Sequence, residues 1–210
     1  VSQPCRLADR DKITVAEFAF TFHCPAAASR SQREAGVTPA TIYQVRSLTC
    51  WLLVADLLDS TELFRKLSAE KSPVVSGRWF SACKRLVDEH HGTINKYLGD
   101  GFLAYWLDDA RAAAAVAKTL LALKKLQDGD SPQFRMVVHY GQISAGGAAS
   151  LGEESLTGNE VNFVFRLEKL AGTLGASRLL SEPAQAQIKS WLPTTTEGRH
   201  ALPGFPGDYS

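Results

Sequence analysis

Two aspartates stand at the ends of strand-like runs, where carboxylates could carry chemistry. Asp56 closes the continuous apolar run "CWLLVAD" (50–56), which is typical of a buried strand. Asp100 lies between two glycines in "NKYLGDGFLAYW" (95–106). Taken alone, it is typical of a hairpin turn, because Asp and Gly favour turns between strands. Two carboxylates in one place are hard oxygen ligands that suit one or two Mg²⁺ ions.

The segment after Asp56 is predicted to turn into a helix. In "LLDSTE" (57–62), Ser60 and Thr61 give the signal of a helix start. The free backbone N–H groups of such a start would point at an anion, so metal carboxylates beside it would make a polyphosphate site. Asp59 is an alternative metal ligand, or it caps the helix. Asp56 is preferred, because a carboxylate that closes a buried run needs a partner or a metal.

A later helix carries a second set of polar residues. The run "NEVNFVFRLEKLAGTLG" (159–175) places Asn162 and Arg166 four residues apart, on one helix face. Arg166 has two interpretations. It extends its charge to water and pairs with Glu168 or Asp109, or it clamps negative charge that develops on a phosphate.

Composition limits the classes of protein that fit. The chain has 210 residues, of which 45% are hydrophobic, enough for one core and an appendage. A formal net charge of +1 predicts no nucleic-acid partner. No apolar run is long enough to span a bilayer, and the N-terminus lacks a signal-peptide pattern. Four cysteines without a Cys-x-x-Cys pair predict a reducing, cytoplasmic location with neither a disulfide framework nor a zinc site.

The order of elements predicts the fold class. From residue 48 onwards the patterns alternate as β-α-α-β-β-α-β-α-β, with a hairpin in the middle. This order favours an α+β domain of the ferredoxin-like (split βαβ) kind, with a mainly antiparallel central sheet flanked by helices. A dinucleotide-binding fold is not favoured, because no GxGxxG motif follows the first strand.

Four motifs in order resemble the catalytic domain of class III adenylyl/guanylyl cyclases, from about residue 48 to 210. "LLVADLLDSTEL" and "GTINKYLGDGFLAYW" resemble the two metal motifs of that family. "RMVVHYGQISAG" resembles its H-x-G strand, and "LTGNEVNFVFRLE" resembles its V-N-x-x-x-R helix. The resemblance implies an adenylate cyclase that forms 3′,5′-cyclic AMP and pyrophosphate from ATP in intracellular signalling. It also implies a head-to-tail homodimer that shares each active site.

The resemblance implies a role for each matching residue. Two Mg²⁺ or Mn²⁺ ions are expected on Asp56 and Asp100, with the Leu57 carbonyl as a further ligand. Substrate-binding and catalytic roles are implied for six residues, the first four being substrate-binding: Lys96, Ser155, Ser60, Thr61, Asn162 and Arg166. Lys96 and Ser155 stand where the family recognises adenine, Asn162 where it orients the ribose, and Arg166 where it stabilises the transition state.

Two departures from the family pattern leave other functions open. Asp59 adds negative charge close to the expected triphosphate, and Pro203 in "ALPGFPG" replaces a lysine that contacts the triphosphate in some members. The alternatives are a guanylate or pyrimidine nucleotide cyclase, and a non-catalytic nucleotide-binding or dimerisation module.

The front of the chain is predicted to be a separate piece. Residues 1–24 contain two short strand-like runs, too few to bury a core, and 25–47 form a linker whose first part is rich in Ala, Ser and Pro. "LADRDKITVAEFAFTFHC" resembles the last hairpin of a forkhead-associated domain. That resemblance implies a domain remnant and a phosphoprotein partner for the longer protein.

Overall fold

The computed structural model describes residues 11–15, 18–21, 46–146 and 156–209. The chain divides into two units, Val1–Ile42 and Tyr43–Ser210. The described part of the first unit is an antiparallel hairpin of β1 (Lys12–Val15) and β2 (Phe18–Thr21). These are the two short strands that the sequence predicts.

The second unit is built on a six-stranded mixed sheet with the strand order β4-β5-β3-β6-β7, in which β8 also pairs with β6. Only the β6–β8 pairing is parallel. Its strands are β3 (Arg46–Leu57), β4 (Thr93–Leu98), β5 (Gly101–Leu107), β6 (Phe134–Ala145), β7 (Leu156–Thr157) and β8 (Arg178–Leu180). A small hairpin of β9 (His200–Ala201) and β10 (Asp208–Tyr209) follows.

The described residues of this unit form five helices. They are α1 (Ser60–Lys66), α2 (Lys71–Glu89), α3 (Ala112–Gln127), α4 (Asn159–Thr173) and α5 (Glu182–Ile188). From β3 to β8 the observed order matches the predicted β-α-α-β-β-α-β-α-β order, apart from the two-residue strand β7. Helix α5 and the strands β9 and β10 follow. Helix α1 begins at Ser60, as predicted, and ends after seven residues, because the chain becomes extended at Leu67.

Strand β3 is buried on both faces, which explains why its sequence is a continuous apolar run. Its odd-numbered side chains, such as Trp51 and Leu53, belong to one core, which also holds side chains of α2, α3 and α5. The even-numbered ones, such as Leu52 and Val54, belong to a second core that α4 covers. Asp56 continues the even-numbered series and therefore lies on the α4 side of the sheet.

Strand β4 is the edge of the described sheet. Its pairing with β5 shifts register between Ile94 and Lys96, so that Asn95 is an extra residue, a β-bulge.

Cys50 and Cys83 are fully buried free thiols, and burial raises the pKa of each to about 12. Over the described ranges, no helix combines the length and apolar character needed to cross a bilayer.

Candidate active site

The two aspartates of the predicted metal site lie side by side. Strands β4 and β5 are joined by the two-residue turn Gly99–Asp100, and Gly99 adopts the left-handed conformation at φ 71°. The Leu57 N–H donates to the Asp100 carbonyl at 3.2 Å, which fixes this turn against the end of β3. The side chains of Asp56 and Asp100 are close enough to interact directly. The prediction that the turn brings both carboxylates together is thus consistent with the geometry.

Gly101 makes room for this approach. It pairs with Asp56 across the antiparallel β3–β5 ladder. A Cβ atom at Gly101 would overlap the Asp56 carboxylate and lie 2.7 Å from the Ala55 carbonyl oxygen. Only glycine therefore allows the Asp56 side chain to lie over the turn.

The charges around Asp56 leave it poorly compensated. On its other side, β6 places Arg135 opposite Asp56, but this guanidinium donates to Glu168 at 2.6 Å. The pKa of Asp56 is raised to about 6, mainly by burial and then by the neighbouring charge of Asp100. The positive charge of Arg135 lowers this pKa, but by less. Two adjacent carboxylates, of which Asp56 has a raised pKa, form a site whose charge a divalent cation would balance.

The described residues contain no cluster of three or more His, Cys, Asp or Glu side chains that could hold a metal ion. The chain thus offers two carboxylates here. This donor set fits Mg²⁺, which is commonly held by one or two carboxylates together with substrate phosphates and water.

The other residues of this turn have distinct environments. Ser60, half-buried at the start of α1, donates its hydroxyl to the Asp100 carboxylate. Thr61 is exposed. Asp59 stands at the N-cap position with φ 48°, and its exposed side chain makes no capping hydrogen bond. Ser60 therefore orients Asp100, while the expectation that Ser60 and Thr61 bind substrate stays a prediction.

Asn162 and Arg166 line a separate cleft of about 550 Å³. Both are exposed on one face of α4, and Arg166 pairs with no carboxylate of the described residues. The structural interpretation of Arg166 as a partner of Glu168 is wrong, because Glu168 points towards β6 and binds Arg135. The cleft lining is Asn159, Asn162, Phe165, Arg166, Lys169 and the loop from Pro203 to Pro206.

Aromatic packing fixes the loop side of this cleft. Phe163 of α4 is buried, and the rings of Phe205 and Tyr209 pack edge-on against it at centroid distances of 5.2 and 5.0 Å. The loop between β9 and β10 is thereby attached to the helix that carries Asn162 and Arg166. Pro203 and Arg166 thus belong to the same cleft.

The carboxylate pair and the α4 cleft are not one pocket within this chain. Neither Asp56 nor Asp100 is among the residues that line the cleft. Lys96 is half-buried on the edge strand β4 and does not line the cleft either. Ser155 lies outside the described residues, so its role stays a prediction.

Sequence reasoning missed Lys169. It follows Arg166 by three residues on the same exposed face of α4 and lines the same cleft. The i, i+3 spacing of two cations beside Asn162 was the signal that could have identified it. Its ammonium group pairs with no described carboxylate, so the cleft presents two cations available to an anion.

Comparison with known proteins adds the following. No protein-family model matches the chain. An uncharacterized protein of Mycobacterium tuberculosis is 33% identical over 137 residues, which cover 62% of this chain and 26% of that protein. A Mycobacterium bovis protein matches to the same extent. The chain therefore spans about a quarter of the length of the curated relatives it matches.

Solved structures resemble it over most of its length. The adenylyl cyclase CyaB from P. aeruginosa superposes with a TM-score of 0.68 at 21% identity, covering 79% of this chain and 93% of that one. The chain has the class III nucleotide cyclase fold. The guanylate cyclase domain of RhGC from Catenaria anguillulae, in complex with GTP, matches with a TM-score of 0.67 at 16% identity, covering 78% and 94%.

This nucleotide cyclase fold confirms the predicted α+β class with a mostly antiparallel sheet between helices. Because both adenylyl and guanylyl enzymes share it, the fold by itself does not set the base. The comparisons give no support to the forkhead-associated resemblance of residues 1–24, which stays a prediction together with its phosphoprotein partner.

We expect Asp56→Asn to stabilise the metal-free protein above about pH 6. The pKa of Asp56 in the folded chain, about 6, lies above its ordinary value of 3.8. Between these values unfolding releases a proton, so stability falls as pH rises through this window. The amide cannot ionise, and the gain is on the order of 1 kcal/mol once solvent screening of this half-buried group is allowed for.

Thermal unfolding in EDTA at about pH 4 and about pH 7.5 measures this effect. Asp59→Asn, a change at an exposed carboxylate in the same turn, is the matched control. If wild type and Asp56→Asn lose stability equally between the two pH values, the assignment of an uncompensated Asp56 is wrong.

Proposed function

We propose that residues 48–210 form the catalytic domain of an adenylate cyclase, which converts ATP to 3′,5′-cyclic AMP and pyrophosphate in intracellular signalling. The observation that carries the proposal is the Asp56–Asp100 carboxylate pair, placed by a glycine-lined turn on a nucleotide cyclase fold. A pair that raises the pKa of Asp56 costs stability unless a cation offsets it, which is typical of functional sites rather than structural ones.

Asp56 and Asp100 would hold two Mg²⁺ or Mn²⁺ ions, with the Leu57 carbonyl as a further ligand. Bound there, the ions would lower the pKa of the ribose 3′-hydroxyl and neutralise the phosphates. Ser60, which donates to Asp100, keeps one carboxylate oxygen oriented. Gly101 leaves room for the Asp56 carboxylate beside the turn.

The α4 cleft would act on the substrate itself. Asn162 would orient the ribose, and Arg166 would neutralise charge that develops at the α-phosphorus during in-line attack. The Arg166 guanidinium, which pairs with no carboxylate in the described part of the chain, is available for this role. Lys169 would supply positive charge to the triphosphate, which Pro203 in the same cleft cannot.

The separation of the two groups supports a head-to-tail homodimer. A single chain holds the carboxylate pair and the α4 cleft as different regions. In the proposed dimer Asp56 and Asp100 of one subunit face Asn162 and Arg166 of its partner, and Lys96 and Ser155 join the latter group. A monomer would then be inactive for geometric reasons.

Turnover of each nucleoside triphosphate by the purified protein, with Mg²⁺ or Mn²⁺, tests the proposed activity. We expect ATP to be used at least ~10-fold better than GTP, because Lys96 donates to an acceptor on adenine and an unpaired partner costs about 1.4 kcal/mol. Lys96→Glu should lower ATP use and shift the ratio towards GTP, since a carboxylate accepts from the N–H groups of guanine.

If the wild-type protein turned over GTP, UTP or CTP faster than ATP, that nucleotide would be its preferred substrate. An ATP/GTP ratio unchanged by Lys96→Glu would show that Lys96 does not read the base. Lack of turnover of every nucleotide, with a folded dimer, would favour the non-catalytic binding or dimerisation module.

The shared site makes a complementation prediction. Asp100→Ala and Arg166→Ala proteins should each be inactive, and mixing them should restore activity, because one of the two sites in the heterodimer is then intact. Statistical mixing gives about half of the molecules as heterodimers, so up to about a quarter of the wild-type rate is expected. With subunit exchange demonstrated by a labelled subunit, an inactive mixture would contradict the shared site.

Lys169 should act on binding rather than on chemistry. Lys169→Ala is expected to raise the KM for the nucleotide about 3- to 10-fold with a smaller change in kcat, because the lost charge contacts substrate and transition state alike. Lys189, exposed beyond the end of α5, is the control position for an equal change of net charge. If Lys169→Ala and Lys189→Ala have the same KM, Lys169 does not bind the nucleotide.

A further inference from the structure

Helix α4 is held on the sheet by contacts of two kinds. Val161, Val164 and Leu167 are buried against the second core. Such apolar contacts are non-directional, so they keep the helix on the sheet without fixing how far it slides or turns. The helix nevertheless carries Asn162 and Arg166, whose positions decide whether they reach a substrate.

The first directional contact joins α4 to β6 through His139. Its Nε2 lies 2.6 Å from a Glu160 carboxylate oxygen, and its Nδ1 lies 2.8 Å from the Ser181 hydroxyl. The Ser181 oxygen also accepts the N–H of Ala184 in α5. All three hydrogen bonds form when the imidazole ring of His139 is neutral. Ser181 then donates to Nδ1, and the Nε2–H of His139 donates to Glu160. Burial, the largest cause, lowers the pKa of His139 and favours that neutral form.

The second directional contact joins the same two elements farther along the helix. Arg135 of β6 donates to Glu168 at 2.6 Å, and its Nε donates to the Ala176 carbonyl at 3.3 Å. Both partners of this ion pair are mostly buried, with side chains 16% and 17% exposed. Separating the partners of such a buried pair would leave an uncompensated charge, so the two side chains are held together.

The spacing of the two contacts matches along both elements. Glu160 and Glu168 are eight residues apart, which is about 12 Å along a helix. Their partners, Arg135 and His139, are four residues apart on one face of β6, about 13 Å along a strand. If α4 packed with its sequence shifted by one residue, the side chains of Glu160 and Glu168 would point about 100° away from β6, and both contacts would be lost.

We infer that these two pairs, His139–Glu160 and Arg135–Glu168, form a two-point clamp that sets the position of α4 and thereby of Asn162 and Arg166. The four residues are positioning residues and touch no substrate. This inference rests on the proposed function for its effect on turnover, but the clamp itself is a statement about how α4 is held.

Gly141 offers an independent way to loosen the clamp. A Cβ atom there would lie 2.7 Å from the Glu160 carboxylate oxygen and 2.9 Å from Nε2 of His139. Because the Glu160 side chain is the more exposed of the two, it is the group that would move. Gly141→Ala therefore displaces Glu160 without removing any polar group.

The test compares Glu160→Ala, Glu160→Gln and Gly141→Ala with Glu89→Ala, which removes a glutamate in an exposed ion pair on α2. Glu160→Ala and Gly141→Ala are expected to lower kcat at least ~10-fold with KM within about threefold, since misplacing a catalytic group costs rate more than binding. Glu160→Gln keeps an acceptor for Nε2–H and should stay within about threefold of wild type.

Amide hydrogen exchange provides a readout that does not depend on activity. At a temperature well below unfolding, the amides of α4 should exchange at least ~10-fold faster in Glu160→Ala than in Glu89→Ala, while those of α2 stay unchanged. Equal exchange in α4, or equal kinetics of Glu160→Ala and Glu160→Gln, would overturn the clamp. If wild type turns over no nucleotide, the proposed function fails and the exchange result alone decides the clamp.

Discussion

The close approach of Asp56 to the Gly99–Asp100 turn constrains the rest of the domain. Strand β3 must end at this turn, which requires an antiparallel β5 with glycine opposite Asp56. It must also be buried on both faces, because helices cover the sheet on each side. Burial of Asp56 in this position, and then the neighbouring charge of Asp100, raise its pKa.

Helix α4 has two polar faces with different partners. One face is tied to β6 by Glu160 and Glu168, and the opposite face presents Asn162 and Arg166 to solvent. Polar residues on the sheet side thus restrict the helix while those on the other side remain available. The carboxylate pair does not line the cleft beside this exposed face. The proposed head-to-tail dimer would bring the carboxylate pair of one copy together with the α4 cleft of the other.

The sequence predicted the elements that follow local rules. The runs "TINKYL" and "GFLAYWL" coincide with β4 and β5, because alternation and a Gly-Asp turn define a hairpin. Contacts between distant residues were not predictable. His139 is an example, because its partners Glu160 and Ser181 are 21 and 42 positions away. Strands β7, β9 and β10 are two residues long, too short for any periodic pattern.

Strand β4 is the outermost strand of the described sheet, and an edge strand can recruit a strand from another molecule. The bulge at Asn95 interrupts its hydrogen-bond ladder, and the charged Lys96 follows at once. Both features are common means by which natural sheets resist aggregation. A lysine proposed to recognise a nucleotide base would thus also help to keep a crowded solution of this protein free of ribbon-like polymers.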